Sequence, residues 1–313
     1  MKILITGAAG FVGGVLTRYC HQAGHEVVGI GLNQPADLCP GTSFEICDVR
    51  DAAKLDELLG RFRPERVFHL AAQSYPTVSL EQPVATMDAN ANGTINLFEG
   101  LRKAQIRPTV VVACSSAEYG PVAAENLPVR EDHPLRPLHP YGVSKVAQDL
   151  LAYQYFVNYG LPAIRIRIFN TTGAGKIGDV CSDLSRRVVE IERGERASLT
   201  VGNLTARRAI LDVQDLVRAL DLASIHGTPG EVYNVSAYRI YSVQELVDAL
   251  RQKSGVDFTV QQDPALMRPS DEPVIAGNTE KFQAATGWRQ EVDLMNTIEE
   301  MLAWWRRHLA RPS

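Results

Sequence analysis

The amino-acid sequence predicts an α/β protein: a doubly wound parallel sheet of the Rossmann type, followed by a smaller α/β region towards the C-terminus. Three observations favour this fold. A glycine-rich turn follows the first apolar run, short β-branched runs then alternate with helical patterns, and the chain changes to polar, glycine-rich loops after residue 169. Because parallel strands need crossover connections, this alternation indicates one sheet with helices on both of its faces.

Six segments before residue 170 have the composition of buried parallel strands, with β-branched residues bounded by Gly, Pro or Asp. Between the third and the fourth, apolar residues of the 55–62 segment recur at i, i+3, i+4 and i+7, as on the buried face of a helix. The six predicted strands are Lys2–Thr6, Glu26–Ile30, Phe44–Cys47, Arg66–Leu70, Thr109–Cys114 and Ala163–Ile168.

The later part of the chain is expected to add one strand to this sheet and to form a smaller region of its own. Ser242 and Glu245 have the spacing of a capping box, which predicts that a helix begins there. Further predicted elements are a helix at Leu184–Glu192, a strand at Glu231–Val235, a helix at Val243–Lys253 and a last helix near Val292–Leu309. We expect the sheet domain to comprise residues 1–168 and about 210–238, and the smaller region 169–209 and 239–313.

Composition and charge exclude several classes of protein. The 313 residues are 45% apolar, which is enough to bury a large core, and 36 acidic against 32 basic side chains leave a net charge of −4. No nucleic-acid partner is therefore indicated. No run of about 18 apolar residues predicts a membrane span, and no cleavable signal precedes the first strand. Five cysteines without metal-ligand spacing indicate reduced thiols, a cytoplasmic location and no metal site.

The first predicted strand runs into a GxxGxxG pattern over residues 7–13, where a strand turns into a helix. Gly7 permits a tight turn, Gly10 lets the backbone approach a pyrophosphate, and Gly13 lets helix and strand pack closely. An ordinary glycine-rich turn is the alternative, but the position after the first strand favours a dinucleotide site. Further candidate cofactor contacts are Phe11, Val49, Leu70, Ala71 and Ala72.

Two positions bear on the adenosine half of such a cofactor. Asp48 follows the third strand, where a carboxylate can accept a hydrogen bond from the adenine amino group; the alternative is that Asp48 caps the next helix. The second strand ends in Ile-Gly-Leu-Asn at 30–33, with neither the acid that holds a ribose 2′-hydroxyl nor an Arg. Both NADP and NAD are therefore candidates, and NADP is slightly favoured because no carboxylate is there to repel its 2′-phosphate.

Candidate catalytic residues follow the fifth strand and lie on the next predicted helix. Ser115 comes at the end of that strand, and Tyr141 and Lys145 follow it, four residues apart. Since residues four apart share a helix face, we expect the Lys145 ammonium near the phenol, where it would lower the phenol pKa from its usual value of about 10. A phenol tuned in this way can act as a general acid or base. The alternative is a chance pair on the helix surface.

These residues, with the glycine pattern and the Asn-Ala-Asn-Gly-Thr segment at 90–94, resemble the extended short-chain dehydrogenase/reductases over essentially the whole chain. Within that superfamily, the segments 169–173, 201–204, 268–271 and 286–288, together with Arg208, are similar to those of nucleotide-sugar enzymes. The similarity is greatest to members that reduce GDP-linked 4-keto-6-deoxy sugars. It implies a cofactor on the N-terminal sheet, a sugar nucleotide under the C-terminal region, and a homodimer paired through two helices.

The resemblance also implies roles for individual residues. Ser115, Tyr141 and Lys145 match the catalytic residues, and Asn90 matches a residue beside the nicotinamide ribose, where Tyr141 and Lys145 also contact the cofactor. The implied substrate-binding residues, which hold the phosphates or the sugar, are Ser115, Asn170, Arg208 and Arg268. The alternatives are a turn cap for Asn170 and solvated surface charges for the two arginines.

Two departures from the nucleotide-sugar pattern stand out. Related 4,6-dehydratases carry a Glu two residues before the Tyr-Gly pair, which removes the C5 proton; this chain has Ala117 there and Glu118 one residue later. Because side chains alternate at a strand end, we expect Glu118 to point to the opposite side and the elimination base to be missing. Related reductases can also carry an acid at that position. Relatives often have Arg-Asp-Phe where this chain has Arg208-Ala209-Ile210, a change beside the implied phosphate contact.

The sequence therefore predicts an NAD(P)-dependent oxidoreductase that reduces a nucleoside-diphosphate 4-keto-6-deoxy sugar at C4, with GDP as the expected nucleotide. In this hypothesis Tyr141 protonates the developing alkoxide, Lys145 lowers the Tyr141 pKa and binds ribose hydroxyls, and Ser115 donates to the keto oxygen. A nucleotide-sugar 4-epimerase that uses the same three residues is the first alternative. A 4,6-dehydratase and a non-catalytic NAD(P)-binding sensor are the others.

Overall fold

A computed structural model describes residues 1–35, 37–266, 274 and 276–310. These residues form two compact units. The first comprises residues 1–168, 217–235 and 278–288, and the second comprises the described residues of 169–216, 236–277 and 289–313. The candidate substrate ligand Arg268 lies outside the described residues. These bounds differ from the predicted ones, because residues 210–216 and 236–238 lie in the second unit and residues 278–288 lie in the first.

Thirteen strands and eleven α-helices are described in these residues. The strands are β1 (Lys2–Thr6), β2 (Glu26–Gly31), β3 (Ser43–Ile46), β4 (Arg66–His69), β5 (Thr109–Ser115), β6 (Ala163–Ile168), β7 (Thr171–Thr172), β8 (Ser198–Val201), β9 (Arg207–Ala209), β10 (Leu211–Asp212), β11 (Val232–Val235), β12 (Ile240–Ser242) and β13 (Thr259–Gln262). The helices are α1 (Phe11–Gln22), α2 (Ala52–Phe62), α3 (Pro76–Glu81), α4 (Pro83–Met87), α5 (Gly93–Lys103), α6 (Pro140–Tyr159), α7 (Val180–Glu192), α8 (Val213–His226), α9 (Val243–Ser254), α10 (Glu280–Thr286) and α11 (Leu294–Leu309).

The first unit is built on one seven-stranded sheet in the order β11-β6-β5-β4-β1-β2-β3. Each pair of neighbouring strands is parallel, so the predicted doubly wound fold is confirmed. The six predicted strands and the later strand near 231–235 lie within one residue of the observed bounds. Parallel pairing brings the carboxyl ends of β1, β4 and β5 to one edge of the sheet, where α/β proteins bind their ligands.

Helix α2 shows why the local sequence folds as it does. Its buried residues are the apolar stripe of the 55–62 segment, which packs on the sheet. Asp51 caps it by accepting a hydrogen bond from the Lys54 N–H at 3.1 Å. The alternative that Asp48 caps this helix is therefore wrong.

The second unit has its own apolar core between helices α7, α9 and α11. Its strands form three two-stranded sheets, pairing β7 with β10, β8 with β13 and β9 with β12. Helix α9 begins with the predicted capping box: the Glu245 N–H donates to Ser242 Oγ at 3.1 Å, and the Ser242 N–H donates to Glu245 Oε2 at 2.8 Å. Among the described residues, helices with the length and apolarity to cross a bilayer are absent.

Candidate active site

The glycine turn between β1 and α1 is held too tightly for side chains. Gly7 has φ +71°, and a Cβ added to it would lie 2.9 Å from the Ala71 nitrogen. A Cβ on Gly13 would lie 2.2 Å from the Gly7 carbonyl oxygen, so only glycine allows this approach of helix and strand. Helix α1 begins after Gly10, which has no side chain to cap it. Its first N–H groups are therefore suited to a pyrophosphate, and the turn fits a dinucleotide.

The ends of β1 and β4 are joined by the Thr6 hydroxyl beside this turn. Thr6 Oγ1 accepts hydrogen bonds from the Leu70 N–H at 3.1 Å and from the Ala71 N–H at 3.0 Å. Since both its acceptor sites are used, its proton goes to His69 Nδ1, 2.9 Å away. His69 Nε2 then carries the ring proton and donates it to Thr94 Oγ1 at 2.9 Å. A fully buried, neutral His69 thus connects the glycine turn to helix α5.

His69 makes the stability of the protein depend on pH. Burial lowers its pKa from 6.5 to about 3, so in the folded protein it stays neutral while in the unfolded chain it gains a proton as the pH falls. Stability is therefore lost as pH falls from about 7 towards 3, with a loss of about 2 kcal/mol by pH 5. We expect His69→Asn to reduce this loss in urea unfolding at pH 7.5 and pH 5, while the exposed control His226→Gln keeps it. An equal pH dependence in His69→Asn would contradict this assignment.

Asn90 fixes the start of the helix that carries the candidate catalytic residues. It lies in a single π-helical turn at Asp88–Asn92, a feature often found at functional sites. Its Nδ2 donates to the Gln73 carbonyl at 3.0 Å and to Ser144 Oγ at 2.8 Å, and its Oδ1 accepts from the Gln73 N–H at 2.7 Å. Ser144 Oγ in turn donates to the Tyr141 carbonyl at 2.7 Å. One donor of the Asn90 amide thus positions α6 through Ser144, and the other holds the backbone at Gln73.

The candidate catalytic side chains meet at the carboxyl end of β5. The Ser115 hydroxyl is hydrogen-bonded to the phenol of Tyr141, which lies in the first turn of α6. One turn later, Lys145 Nζ donates to the Ala113 carbonyl oxygen at 2.7 Å and lies 5.8 Å from the centre of the Tyr141 ring. Ser115, Tyr141 and Lys145 therefore converge within the first unit.

The charges at this site differ from those inferred from the sequence. Burial raises the pKa of Tyr141 to about 12, although the hydrogen bond from Ser115 acts in the opposite direction. Burial also lowers the pKa of Lys145 to about 8. The expected lowering of the Tyr141 pKa by Lys145 is therefore wrong for this arrangement: the ammonium is bound to Ala113, and desolvation of the phenolate dominates. The Tyr141 phenol is protonated at neutral pH.

A histidine caps the helix at this site, at the position before Pro140. His139 Nδ1 accepts a hydrogen bond from the Gly142 N–H at 3.0 Å, and its ring stacks on Tyr141 with centroids 5.8 Å apart. We expect His139→Ala to lower the free energy of unfolding by about 1 kcal/mol, because a helix loses its cap, and His139→Asn to preserve most of it. Urea unfolding of both variants measures this; equal losses would contradict the capping role.

The Asp48 carboxylate is paired with Arg50 rather than with a helix end. Arg50 Nη2 lies 2.6 Å from Asp48 Oδ2, and the Arg50 N–H donates to Oδ1 at 2.9 Å. These hydrogen bonds hold the pKa of Asp48 below its usual value. The carboxylate is thus ionised and fixed at the end of β3, and its contact with adenine stays a prediction.

The remaining candidate substrate residues lie in the second unit. Asn170 is exposed after β6, and its carbonyl oxygen accepts from the Leu211 N–H at 3.0 Å. Arg208 is half-buried in β9, opposite Tyr241 of β12, and its Nη1 donates to the Arg207 carbonyl at 2.8 Å. Their roles in substrate binding stay predictions.

Glu118 follows Ser115 in a single 3₁₀ turn at Ser116–Glu118, not in a continued strand. Its side chain is fully buried, and Oε2 lies 3.1 Å from Arg167 Nε. We expected Glu118 to point away from the position of a dehydratase base, and its burial agrees with this. Its direction is set by the 3₁₀ turn and not by the alternation of side chains along a strand. Sequence reasoning missed the surrounding charges: Arg167 Nε also lies 2.9 Å from Asp149 Oδ2. The charged residues Arg165 and Arg167 within the apolar β6 were the available signal.

Comparison with known proteins agrees with this fold. The sequence profile of the family described as GDP-mannose 4,6 dehydratase matches residues 4–301. A GDP-6-deoxy-D-mannose reductase of Pseudomonas aeruginosa is 30% identical over 97% of this chain and 97% of its own. A UDP-glucose 4-epimerase of Streptomyces lividans is 28% identical over 98% of this chain and 97% of its own.

Solved structures show the same fold over nearly the whole chain. The RMD protein of Pseudomonas aeruginosa, complexed with NADPH, has a TM-score of 0.88 at 29% identity and covers 98% of this chain and 99% of its own. The UDP-glucose 4-epimerase of Thermotoga maritima, solved with UDP-glucose, has a TM-score of 0.89 at 25% identity and covers 99% of this chain and 100% of its own. That of Thermus thermophilus, solved with NAD, has a TM-score of 0.86 at 28% identity, covering 98% and 99%.

The parallel sheet and its glycine turn define the fold of an extended short-chain dehydrogenase/reductase. The chain belongs to the GDP-mannose 4,6-dehydratase family. Its relatives include both a reductase and epimerases, so membership by itself does not select the reaction.

Proposed function

We propose that this protein reduces a GDP-linked 4-keto-6-deoxy sugar at C4 and uses NADPH or NADH as the reductant. The observation that carries the proposal is the convergence of the Tyr141 phenol, the Ser115 hydroxyl and the Lys145 ammonium at the carboxyl end of β5. Reduction of a ketone needs a proton donor at the carbonyl oxygen, and the Tyr141 phenol, which carries its proton at neutral pH, can donate to the far more basic alkoxide that forms there.

The coenzyme site of this proposal rests on the turn and on the strand ends beside it. Gly7, Gly10 and Gly13 leave the space for a pyrophosphate, with the α1 N–H groups directed at it. Asp48 is proposed to contact adenine, and Phe11, Val49 and the 70–72 segment are proposed to line the rest of the coenzyme site. A bound nicotinamide coenzyme supplies the hydride. NADPH fits the lack of an acid at residues 30–33, and a relative is solved with NADPH.

Side chains of the protein supply the proton and stabilise the charges of the reaction. The Tyr141 hydroxyl donates to the oxygen of the keto group as that oxygen gains electrons, and the Ser115 hydroxyl donates a second hydrogen bond to it. The Lys145 ammonium, 5.8 Å from the Tyr141 ring centre, is a positive charge close to the phenolate that this transfer leaves. It is also proposed to bind the ribose hydroxyls of the coenzyme, while Asn90 holds α6 in place.

Two observations separate this reaction from those of other family members. Ala117 stands where a dehydratase needs its base, and the nearby Glu118 is buried against Arg167. Elimination of water is therefore disfavoured. A 4-epimerase is the second candidate, because epimerases share the fold at 25–28% identity. An epimerase keeps its coenzyme bound while it is reduced and then reoxidised within one cycle, whereas a reductase must exchange it.

GDP as the nucleotide, the homodimer and the cytoplasm are parts of the same proposal. GDP is supported by the 30% identical GDP-6-deoxy-D-mannose reductase, and Asn170, Arg208 and Arg268 are the proposed contacts. A dimer is supported by exposed apolar residues on one helix: Leu150 is 52% exposed and Val157 is 57% exposed on α6. All five cysteines are unpaired thiols, as in a reducing compartment.

Thermal unfolding with nucleotides tests the specificity of the proposal. GDP, UDP, dTDP and CDP are each added with NADPH or NAD, and oxidation of NADPH is then followed with the matching 4-keto sugars. A ligand at about 100 times its dissociation constant adds about 2.7 kcal/mol of stability, so GDP with NADPH should give the largest shift. Protein purified with tightly bound NAD, and converting UDP-glucose without added coenzyme, would identify the epimerase instead.

A further inference from the structure

We propose that Glu118 is a positioning residue that aims the Ser115 hydroxyl proton at the substrate's keto oxygen. The inference rests on the proposed reduction and assigns a role to a buried carboxylate that this reaction does not otherwise use. Glu118 follows Ser115 by three residues, and the two form a closed ring of hydrogen bonds at the end of β5.

The geometry is that of a capping box around the 3₁₀ turn. Glu118 Oε1 accepts a hydrogen bond from the Ser115 N–H at 2.8 Å. Ser115 Oγ accepts one from the Ala117 N–H at 3.2 Å. With an acceptor site of the hydroxyl occupied by the backbone, the Ser115 proton is directed away from the turn, towards Tyr141 and the space where a carbonyl oxygen would be reduced.

The other oxygen of Glu118 explains why a carboxylate is kept in this buried place. Oε2 lies 3.1 Å from Arg167 Nε, and Arg167 is itself held by Asp149 at 2.9 Å and by the Tyr119 hydroxyl, which accepts from Nη1 at 2.9 Å. The guanidinium thus fixes the direction of the carboxylate plane. Burial and the neighbouring Asp149 raise the pKa of Glu118 to about 8, and both its charged and its neutral form can accept the Ser115 N–H.

Loss of the Glu118 carboxylate leaves the Ser115 N–H without its acceptor and loosens the turn that holds the Ser115 hydroxyl, without removing that hydroxyl. Since hydrogen-bond donors to a reacting oxygen act only in a narrow geometry, kcat should fall although substrate and coenzyme still bind. Asp149 provides a graded comparison, because it supports Glu118 only indirectly. It shares the same arginine, with Oδ2 at 2.9 Å from Arg167 Nε, but the hydrogen bond to the Ser115 N–H is made by Glu118.

Kinetics of Glu118→Ala, Glu118→Gln and Asp149→Asn test the proposal. Glu118→Ala is expected to lower kcat by between about 10- and 100-fold, with the KM of the sugar nucleotide and the dissociation constant of NADPH within a factor of about two. Glu118→Gln, which keeps an oxygen for the Ser115 N–H, should recover most of kcat. Asp149→Asn, which perturbs the shared arginine but leaves the Glu118 side chain in place, should lower the melting temperature and reduce kcat less than Glu118→Ala does. Unchanged kcat in Glu118→Ala, or a loss of kcat in Glu118→Gln as large as that in Glu118→Ala, would overturn the proposal.

NMR of the Ser115 amide tests the Glu118 contact without an activity assay. It therefore applies even if the protein catalyses a different reaction. In wild-type protein labelled at serine nitrogen, the Ser115 amide proton should shift with pH as Glu118 titrates, because its acceptor changes charge. In Glu118→Gln that shift should vanish while the other serine amides keep theirs. A Ser115 amide whose chemical shift is the same in the wild type and in Glu118→Ala at every pH would overturn the proposal, because the amide then makes no hydrogen bond to Glu118. If the amide responds but NADPH is not oxidised with any 4-keto sugar, only the proposed function fails.

Discussion

Tyr141→Phe is expected to lower kcat for reduction of the 4-keto sugar by between about 10²- and 10⁴-fold, because it removes the general acid while keeping the ring. The dissociation constant of NADPH should change by less than about threefold, since the first turn of α6 and its His139 cap are unaffected. Steady-state kinetics and fluorescence titration with NADPH measure the two quantities separately.

Tyr153→Phe is the matched control for this change. Tyr153 lies on the same helix but is 46% exposed, so loss of its hydroxyl should leave kcat near that of the wild type. Turnover by Tyr141→Phe at the wild-type rate would remove Tyr141 as the proton donor. The catalytic role proposed for the pair of Ser115 and Tyr141 would then be wrong as well.

Gly13→Ala is expected to abolish coenzyme binding, with a dissociation constant for NADPH raised at least about 100-fold, or to prevent folding. The added Cβ would lie 2.2 Å from the Gly7 carbonyl oxygen and 2.7 Å from the Ala8 Cα. Both contacts are with backbone, so the turn itself must open. Such overpacking costs about 1–3 kcal/mol or more. Titration with NADPH and thermal unfolding distinguish lost binding from lost stability.

Gly14→Ala tests the same helix one residue later. The nearest atom to its added Cβ is the Ala8 carbonyl oxygen at 3.7 Å, which is ordinary contact. Because Ala is the better helix former by up to about 1 kcal/mol, this variant should be as stable as the wild type or more so and should bind NADPH normally. Normal NADPH binding by Gly13→Ala would show that the turn is not the pyrophosphate site.

The sequence was sufficient for the parts of the fold that depend on local pattern. The β-branched runs predicted the six strands before residue 170, and the spacing of Ser242 and Glu245 predicted the start of α9. The glycine pattern also indicated the tight turn, because only glycine tolerates φ +71° at Gly7 without strain. These features need no knowledge of distant residues.

The pKa values of Tyr141 and Lys145 depend on contacts with residues far away in sequence, and the sequence pattern did not predict them correctly. The spacing of Tyr141 and Lys145 placed them on one helix face, but their pKa values follow from burial and from the Ala113 carbonyl that binds the ammonium. Asp48 is an exception, because the Arg50 that bonds its two oxygens lies only two residues away.

Buried polar networks were the second feature that the pattern did not reveal. His69 could be read only as part of a strand, although it connects Thr6 to Thr94 across 88 residues of sequence, from 6 to 94. Glu118 was placed by strand alternation, whereas the chain turns after Ser115. Such networks are formed by tertiary contacts between polar groups that have no periodicity along the chain.

Transfer of deuterium tests the central claim most directly. The protein is incubated with GDP-4-keto-6-deoxy-D-mannose and NADPH in which both hydrogens at nicotinamide C4 are deuterium. The sugar product is then analysed by mass spectrometry and NMR. We expect one deuterium at C4 of a GDP-6-deoxyhexose for each NADPH oxidised. A product without deuterium, or conversion of the sugar without oxidation of NADPH, would contradict it.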